Sequence, residues 1–480
     1  MNKSGFSFFP VLLITILVAY LTFVCTANFG VVRASTEFTG MIATDTTWTK
    51  ANSPYVLTGN VFVNKILTIE PGVTVNLGDY ELLVNQTLRA QGTDTEKIHF
   101  NGGQIQFYGF GSWNETTGSG CIIENAILES TRILPSGCKI NNNYVNSQVA
   151  IVGTSIISNN TITEDLHITS GGRSLVSNNV INNGVDVRKP CTLSNNTIGG
   201  ESRVVVGTRD VVFSFNTIGT IIDNGNVTTF VNNTISKIDV WGSPVITGNL
   251  ITGTILVNFG LPIIANNSIT GTTGIDLRDS YLRETDPIIT GNTISGCTVA
   301  GINVEAKATI KNNLFVNNAI GIRLSGGMAI IEKNLITNNS YGIDGGGRST
   351  IIRYNIITQN EVGLDSAGTI IYNNIINNTQ YNVVSDEPHG DVNATYNWWG
   401  TTDTQAINQT IYDYKYTFNT GHVGFTPFLI EPHPETLSIL THDFSSNPVI
   451  PEFPSWIILP LFLIATILII VSKIKLTKIS

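Results

Sequence analysis

The chain has 480 residues, 42% of them hydrophobic and only 13% charged, with 45 Gly and 16 Pro. So small a supply of Lys, Glu and Arg excludes a protein built mainly of solvated helices. A formal net charge of −9 excludes a basic nucleic-acid footprint, so no nucleic-acid partner is expected.

In chain order, residues 1–34 come first. Lys3 precedes an apolar run over 11–24, and Val32-Arg33-Ala34 supplies a cleavage point before Ser35. This is the layout of a signal peptide, with an uncleaved signal anchor as the alternative because Arg33 is unusual there. Residues 35–120 hold longer strand-like runs and are expected to form an N-terminal cap with the first coils of a solenoid.

Residues 121–396 repeat. A unit of Asn or another turn residue, then Asn, any residue, and Ile or Val recurs. Its second Asn falls at Asn143, Asn160, Asn179, Asn196, Asn216, Asn233, Asn249, Asn267, Asn292, Asn313, Asn334, Asn355 and Asn374, at intervals of 16 to 25 residues. Between them apolar and polar residues alternate, as in Val185-Asp186-Val187, which marks half-buried strands. A unit of about twenty residues holds three short strands and three turns, and buries its apolar side only by stacking on its neighbours. Thirteen such coils, paired in parallel, would span about 60 Å. The asparagines are read as structural: Asn tolerates a left-handed corner, and stacked amides bond from coil to coil.

Four cysteines lie beyond the signal segment: Cys121, Cys138, Cys191 and Cys297. Cys121 and Cys138 share a phase on adjacent coils, close enough for a disulfide. Free inward thiols are the equal alternative. Of the Asn-x-Ser/Thr triplets, many coincide with repeat corners; Asn85, Asn114 and Asn408 are the expected glycosylation sites.

For chemistry, the outward position about ten residues before each ladder Asn gives His167, Asp186, Val205, Ile222, Asp239, Leu256, Asp276, Asn303, Arg323, Asp344 and Asp365. Its C-terminal half is polar, and Asp276, Asn303, Arg323, Asp344 and Asp365 are the expected binding residues. Asp344 and Asp365 on neighbouring coils form a carboxylate pair of the kind that separates pKa values or collects Ca²⁺, with Arg323 beside it. These three are also the only catalytic candidates. The stretch 276–292 is long enough for a flap and crowds Arg278, Asp279, Arg283, Glu284 and Asp286. The six histidines (His99, His167, His389, His422, His433 and His442) have no zinc spacing, and no bound metal or other cofactor is expected beyond Ca²⁺.

Residues 397–431 are expected to close the C-terminal mouth, with Trp398 and Trp399 over the core. A short helix should follow, capped by Thr402 with Gln405, with Ala406, Ile407, Ile411 and Tyr414 as its apolar stripe. Residues 432–455, with five prolines, read as a stalk. Residues 456–472 form a charge-free apolar span, and Lys473, Lys475 and Lys478 in the tail 473–480 place that end in the cytoplasm. Everything upstream would then lie outside the cell, anchored by a single transmembrane helix.

Two resemblances add to this. The repeat, in units such as Ile330-Ile331-Glu332-Lys333-Asn334-Leu335-Ile336, resembles the right-handed parallel β-helix superfamily over about 120–400. That superfamily includes pectate-lyase-like enzymes and periplasmic carbohydrate-binding and sugar-hydrolysis domains. Leu67-Thr68-Ile69-Glu70-Pro71-Gly72-Val73 is similar to the first coils of such surface proteins. The resemblance implies an all-β fold, a single right-handed parallel β-helix. Pro451-Glu452-Phe453-Pro454-Ser455 before the apolar span resembles the PEF-CTERM tail of archaeal surface proteins, which implies a sorting signal and a processing protease. The expected function is non-catalytic display, adhesion or binding of an envelope polysaccharide. A polysaccharide lyase or glycoside hydrolase using the Asp/Arg face is the alternative. A copper-delivery role is disfavoured by the scarcity of Met and His.

Overall fold

A computed structural model of the chain describes residues 35–441, apart from 226, 279–285, 306, 327, 348 and 386–389. The expected signal segment, membrane helix and processing motif lie outside the described residues, as do Asp279, Arg283 and Glu284 of the flap, His389 and His442. Among the described residues no helix is long and apolar enough to cross a membrane.

The alternation of the sequence becomes a parallel β-solenoid, each regular coil contributing a strand to each of three faces. One coil shows the plan: Ile156–Ser158 on the first face, Thr161–Ile162 on the second, Leu166–Ile168 on the third. First-face strands pair in unbroken parallel succession from Thr46–Trp48 to Val423–Gly424, nineteen strands among the described residues. Inward residues stack like on like. Ile140, Ile157, Val176 and Leu193 are in direct register and wholly buried. Phe213 and Phe230 continue the column with ring centroids 5.1 Å apart. Each such side chain removed from water contributes roughly 2 kcal/mol. No coil encloses its own apolar side, so that gain exists only in the stack.

The first corner divides its work between two residues. The outer one takes the left-handed backbone, as in Asn142 (φ 54°), Asn159 (φ 57°) and Asn178 (φ 56°). The next, buried Asn builds a spine. Asn143 donates from its backbone N–H and its Nδ2 to Asn160 Oδ1, both at 3.0 Å, and from Nδ2 to the Ile123 carbonyl at 3.0 Å. The same amide-to-amide step recurs coil by coil through Asn355, Asn373 and Asn397. The expected ladder residue Asn374 is therefore corrected to Asn373. Tyr372 takes the left-handed place there (φ 59°), which shifts the apparent Asn-Asn pair by one. Asn374 instead lies opposite Ile356 and donates from Nδ2 to Thr436 Oγ1 at 2.9 Å.

A second spine runs along the next corner, through Asn318, Asn339, Asn360, Asn378 and Asn382. It begins where Cys297 donates its backbone N–H to Asn318 Oδ1 at 2.9 Å.

At the C-terminal end two tryptophans adjoin the core column. Trp399 is buried in the core and Trp398 half-buried beside it. The short helix is Thr404–Gln409, and its cap is Asp403, whose Oδ1 accepts from the N–H of Gln405 at 2.9 Å and of Ala406 at 3.4 Å. Asp403 displaces the expected Thr402 because a carboxylate at the N-cap accepts both orphan donors. Ile407 is buried on this helix, whereas Ile411 is buried in the following strand, Ile411–Tyr412, and Tyr414 is exposed. The start of the Pro-rich stretch packs against the coils rather than standing free. His433 stacks near Tyr354 and Tyr372 (4.9 and 5.1 Å), Glu435 pairs with Lys333 at 2.6 Å, and Thr436 is buried.

Candidate functional site

The third face carries the outward file expected from the sequence. Its strands Thr273–Leu277, Ala300–Val304, Ile320–Leu324, Tyr341–Gly345 and Val362–Asp365 each point a branched residue inward and the next residue outward. Glycines make this possible. Gly274, Gly301, Gly321 and Gly342 stack so closely that a Cβ on Gly321 would stand 2.6 Å from the Gly342 carbonyl oxygen.

Register places the outward residues in one file: Asp276 opposite Asn303, Asn303 opposite Arg323, Arg323 opposite Asp344, and Asp344 opposite Asp365. N-terminally the file continues through Leu256, Asp239, Ile222, Val205, Asp186 and His167.

Side chains along this file bond edge to edge. Asp276 Oδ1 accepts from Asn303 Nδ2 at 2.9 Å, and Ser325 Oγ donates to Asn303 Oδ1 at 2.7 Å. Arg323 Nε lies 3.7 Å from Asp344 Oδ2. Asp365 is the most enclosed, 9% exposed. A basic residue two positions along the same strand edge answers several acids. Arg278 donates from Nε to Asp276 Oδ2 at 3.1 Å, and Arg188 Nη2 stands 2.7 Å from Asp186 Oδ2. Asp186 beside it raises the Arg188 pKa. His167 Nδ1 lies 3.6 Å from the same Asp186 oxygen. Of the flap residues, Asp286 is described, and it pairs with Lys307 at 2.7 Å. Among the described residues, no three His, Cys, Asp or Glu side chains converge as a metal-holding set.

The other expected sites fall as follows. Cys138 lies directly opposite Cys121, but both are free buried thiols, as are Cys191 and Cys297. Of the two expected alternatives for Cys121 and Cys138, this structure has the free-thiol one. In-register side chains leave their parallel strands in the same direction, and Cys121 Sγ turns instead to donate to the Gln86 carbonyl at 3.1 Å. Burial pushes the Cys297 thiol up to about 11, the Cys191 thiol up to about 12, and the Cys121 and Cys138 thiols upward as well. Asn114 is exposed in a loop, its Oδ1 accepting from the N–H of Thr116 and Thr117. Asn85 is half-buried, and its Nδ2 donates to Asn64 Oδ1 at 2.6 Å. Asn408 is half-buried in the cap helix, its Oδ1 bonded by Lys415 Nζ.

One buried acid was not anticipated. Asp223 points inward, wholly buried, its Oδ1 accepting from Thr228 Oγ1 at 2.9 Å and from the Gly225 N–H at 3.1 Å. Among the described residues its Oδ2 has no hydrogen-bond partner, and burial pushes its pKa up to about 6. The alternation carried a signal: Asp223 falls on the inward phase of Ile221-Ile222-Asp223.

A continuous parallel column and an internal amide spine define a β-helix repeat protein. Residues 216–417, less than half of the chain, match the family described as "Periplasmic copper-binding protein (NosD)". No curated protein and no solved structure matches the chain.

Proposed function

We propose that the chain is an exported, non-catalytic surface β-helix that presents its third face to a polysaccharide of the cell envelope. The observation that supports this reading most is the file Asp276, Asn303, Arg323, Asp344, Asp365. Acceptors and donors repeat there once per coil along an extended strip instead of gathering around a closed pocket. A polysaccharide offers hydroxyls, both donors and acceptors, along an equally extended chain. Ca²⁺ is a secondary partner. It takes six to eight oxygens, so Asp344 and Asp365 would need glycan oxygens to complete a site. The description of the matched family as periplasmic supports an extracytoplasmic place. In this reading residues 456–472 hold the chain in the membrane unless a protease processes the tail at 451–455.

The purified chain should bind a subset of an arrayed glycan collection, with and without Ca²⁺. Arg323→Ala and Asn303→Ala should each weaken that binding by about tenfold, as loss of a charged or bidentate hydrogen-bonding group does. An array on which the wild-type chain binds nothing in either condition would overturn the proposal. The catalytic alternative rests on the register of Asp344 with the enclosed Asp365. It would be upheld by polysaccharide turnover that vanishes in both Asp344→Ala and Asp365→Ala.

Among the described residues, none gathers as a copper site. Met41 and Met328 lie on distant coils, His433 Nδ1 already accepts the Glu435 N–H at 3.2 Å, and His167 faces Asp186. The four buried thiols are held away from the thiolate form that binds soft metals.

A further inference from the structure

The first face differs from the third in having no charge over a long stretch. The outward and inward residues of eight successive strands, from Ile156–Ser158 to Ile288–Thr290, include no Asp, Glu, Lys or Arg. At the edge where this face meets the third-face turns, large apolar side chains stand in water. Val227 and Trp241 are 50% exposed, Phe259 and Leu261 48%, Ile263 40% and Ile288 38%. They are neighbours by register. Ile263 lies opposite Ile288, Leu261 donates its N–H to Ser243 Oγ at 2.9 Å, and Gly260 rests on Gly242 so closely that a Cβ on Gly260 would collide with the Gly242 carbonyl oxygen. Trp241 and Phe259 each precede one of these glycines, on successive coils, and both are half-exposed. The patch ends at polar rims. Asp210 borders Val227, its N–H donating to the Val227 carbonyl at 2.8 Å, and the Asp286–Lys307 pair closes the other side.

We propose that this patch is the contact between two copies of the chain, packed side by side about a two-fold axis. Half-exposed aromatic and branched side chains of this number leave about 500 Å² in water, so a symmetric pair would bury about 1,000 Å², the threshold for a specific interface. An apolar centre with a polar rim is the anatomy of such contacts. A two-fold contact must be self-complementary. With the axis between Ser243 and Leu261, one coil rise apart, Asp210 of each copy faces Lys307 of the other, and Val227 faces the Asp286 that Lys307 already neutralises.

Sedimentation velocity of the full-length chain in detergent, over low to high micromolar concentration, tests this. The wild type should pass from monomer to dimer. Leu261→Asp and Trp241→Ser should each weaken the dimer by at least about tenfold, as loss of a central contact does, with unchanged circular dichroism and melting temperature. A wild type that stays monomeric throughout would overturn the proposal. So would a dimer that persists in both variants, which would place the contact elsewhere, for example in the apolar span 456–472.

Discussion

Asn249 shows what one residue does in this fold. Its Oδ1 accepts two bonds from Asn233, at 2.9 and 3.0 Å, and its Nδ2 reaches the carbonyls of Phe230 and Thr247 at 2.9 and 3.0 Å. Asn249→Ala strands the buried Asn233 N–H and withdraws the amide that donates to the Phe230 and Thr247 carbonyls and to Asn267 Oδ1. The expected loss is about 2–5 kcal/mol, since each unsatisfied buried polar group costs about 1–3. The outer corner residue Asn232 (φ 54°) works differently, by conformation alone. Asn232→Gly should change stability by only a few tenths of a kcal/mol. Thermal unfolding of the two variants side by side separates spine from corner. Asp223 gives a pH prediction. Its pKa stands near 6 in the fold against 3.8 ordinarily, so the folded chain holds this proton more tightly than the unfolded one. Its contribution to stability is therefore greatest below about pH 4 and falls as pH rises through 6. Asp223→Asn keeps the acceptor for Thr228 and removes the charge. It should raise the melting temperature at pH 7 and flatten the decline between pH 4 and 7; an unchanged pH profile would contradict the assignment.

At the scale of strands and corners, much was legible because the period is short and the residue types are few. The outward file from His167 to Asp365 follows from counting back from each ladder Asn, and the pairing register agrees at every step. The slip at Asn374 came from treating one Asn-Asn pair as both corner and spine, when Tyr372 holds the corner. The second spine was present as a fixed offset of five residues, as in Asn313 and Asn318 or Asn334 and Asn339, but it hides beneath the stronger first repeat. The cysteines could not be decided by spacing, because spacing fixes which coils face each other and says nothing of sulfur direction. In the native chain Cys121, Cys138, Cys191 and Cys297 should resist alkylation and become labelled only on unfolding. A Cys121–Cys138 linked peptide in the mass spectrum of the unreduced protein would contradict the free thiols. The glycine file makes a further demand: Gly321→Ala must move the Gly342 carbonyl or its own strand. It should lower the melting temperature by several degrees, as a core overpacking change of about 1–3 kcal/mol does.

For the whole molecule, sequence reading located the charged face but not how it is satisfied. Arg188 and Arg278 sit two residues from their acids, a spacing that strand geometry puts on the same side. The apolar patch was invisible for a different reason. Val227, Trp241, Phe259, Leu261, Ile263 and Ile288 come from several coils, and each alone looks like an ordinary surface residue. The docking of His433 and Glu435 on Tyr354, Tyr372 and Lys333 also escaped, since a run of prolines signals an extended chain whether or not something receives it.

The account depends on one column of coils running without a break from residue 36 to residue 424. Small-angle X-ray scattering from residues 35–441, at concentrations low enough to keep it monomeric, measures this directly. Nineteen stacked strands at the parallel spacing give a rod about 90 Å long, with a radius of gyration near about 27 Å. A radius of gyration near about 22 Å, the value for a compact globule of this length, would mean that the coils do not form a single column.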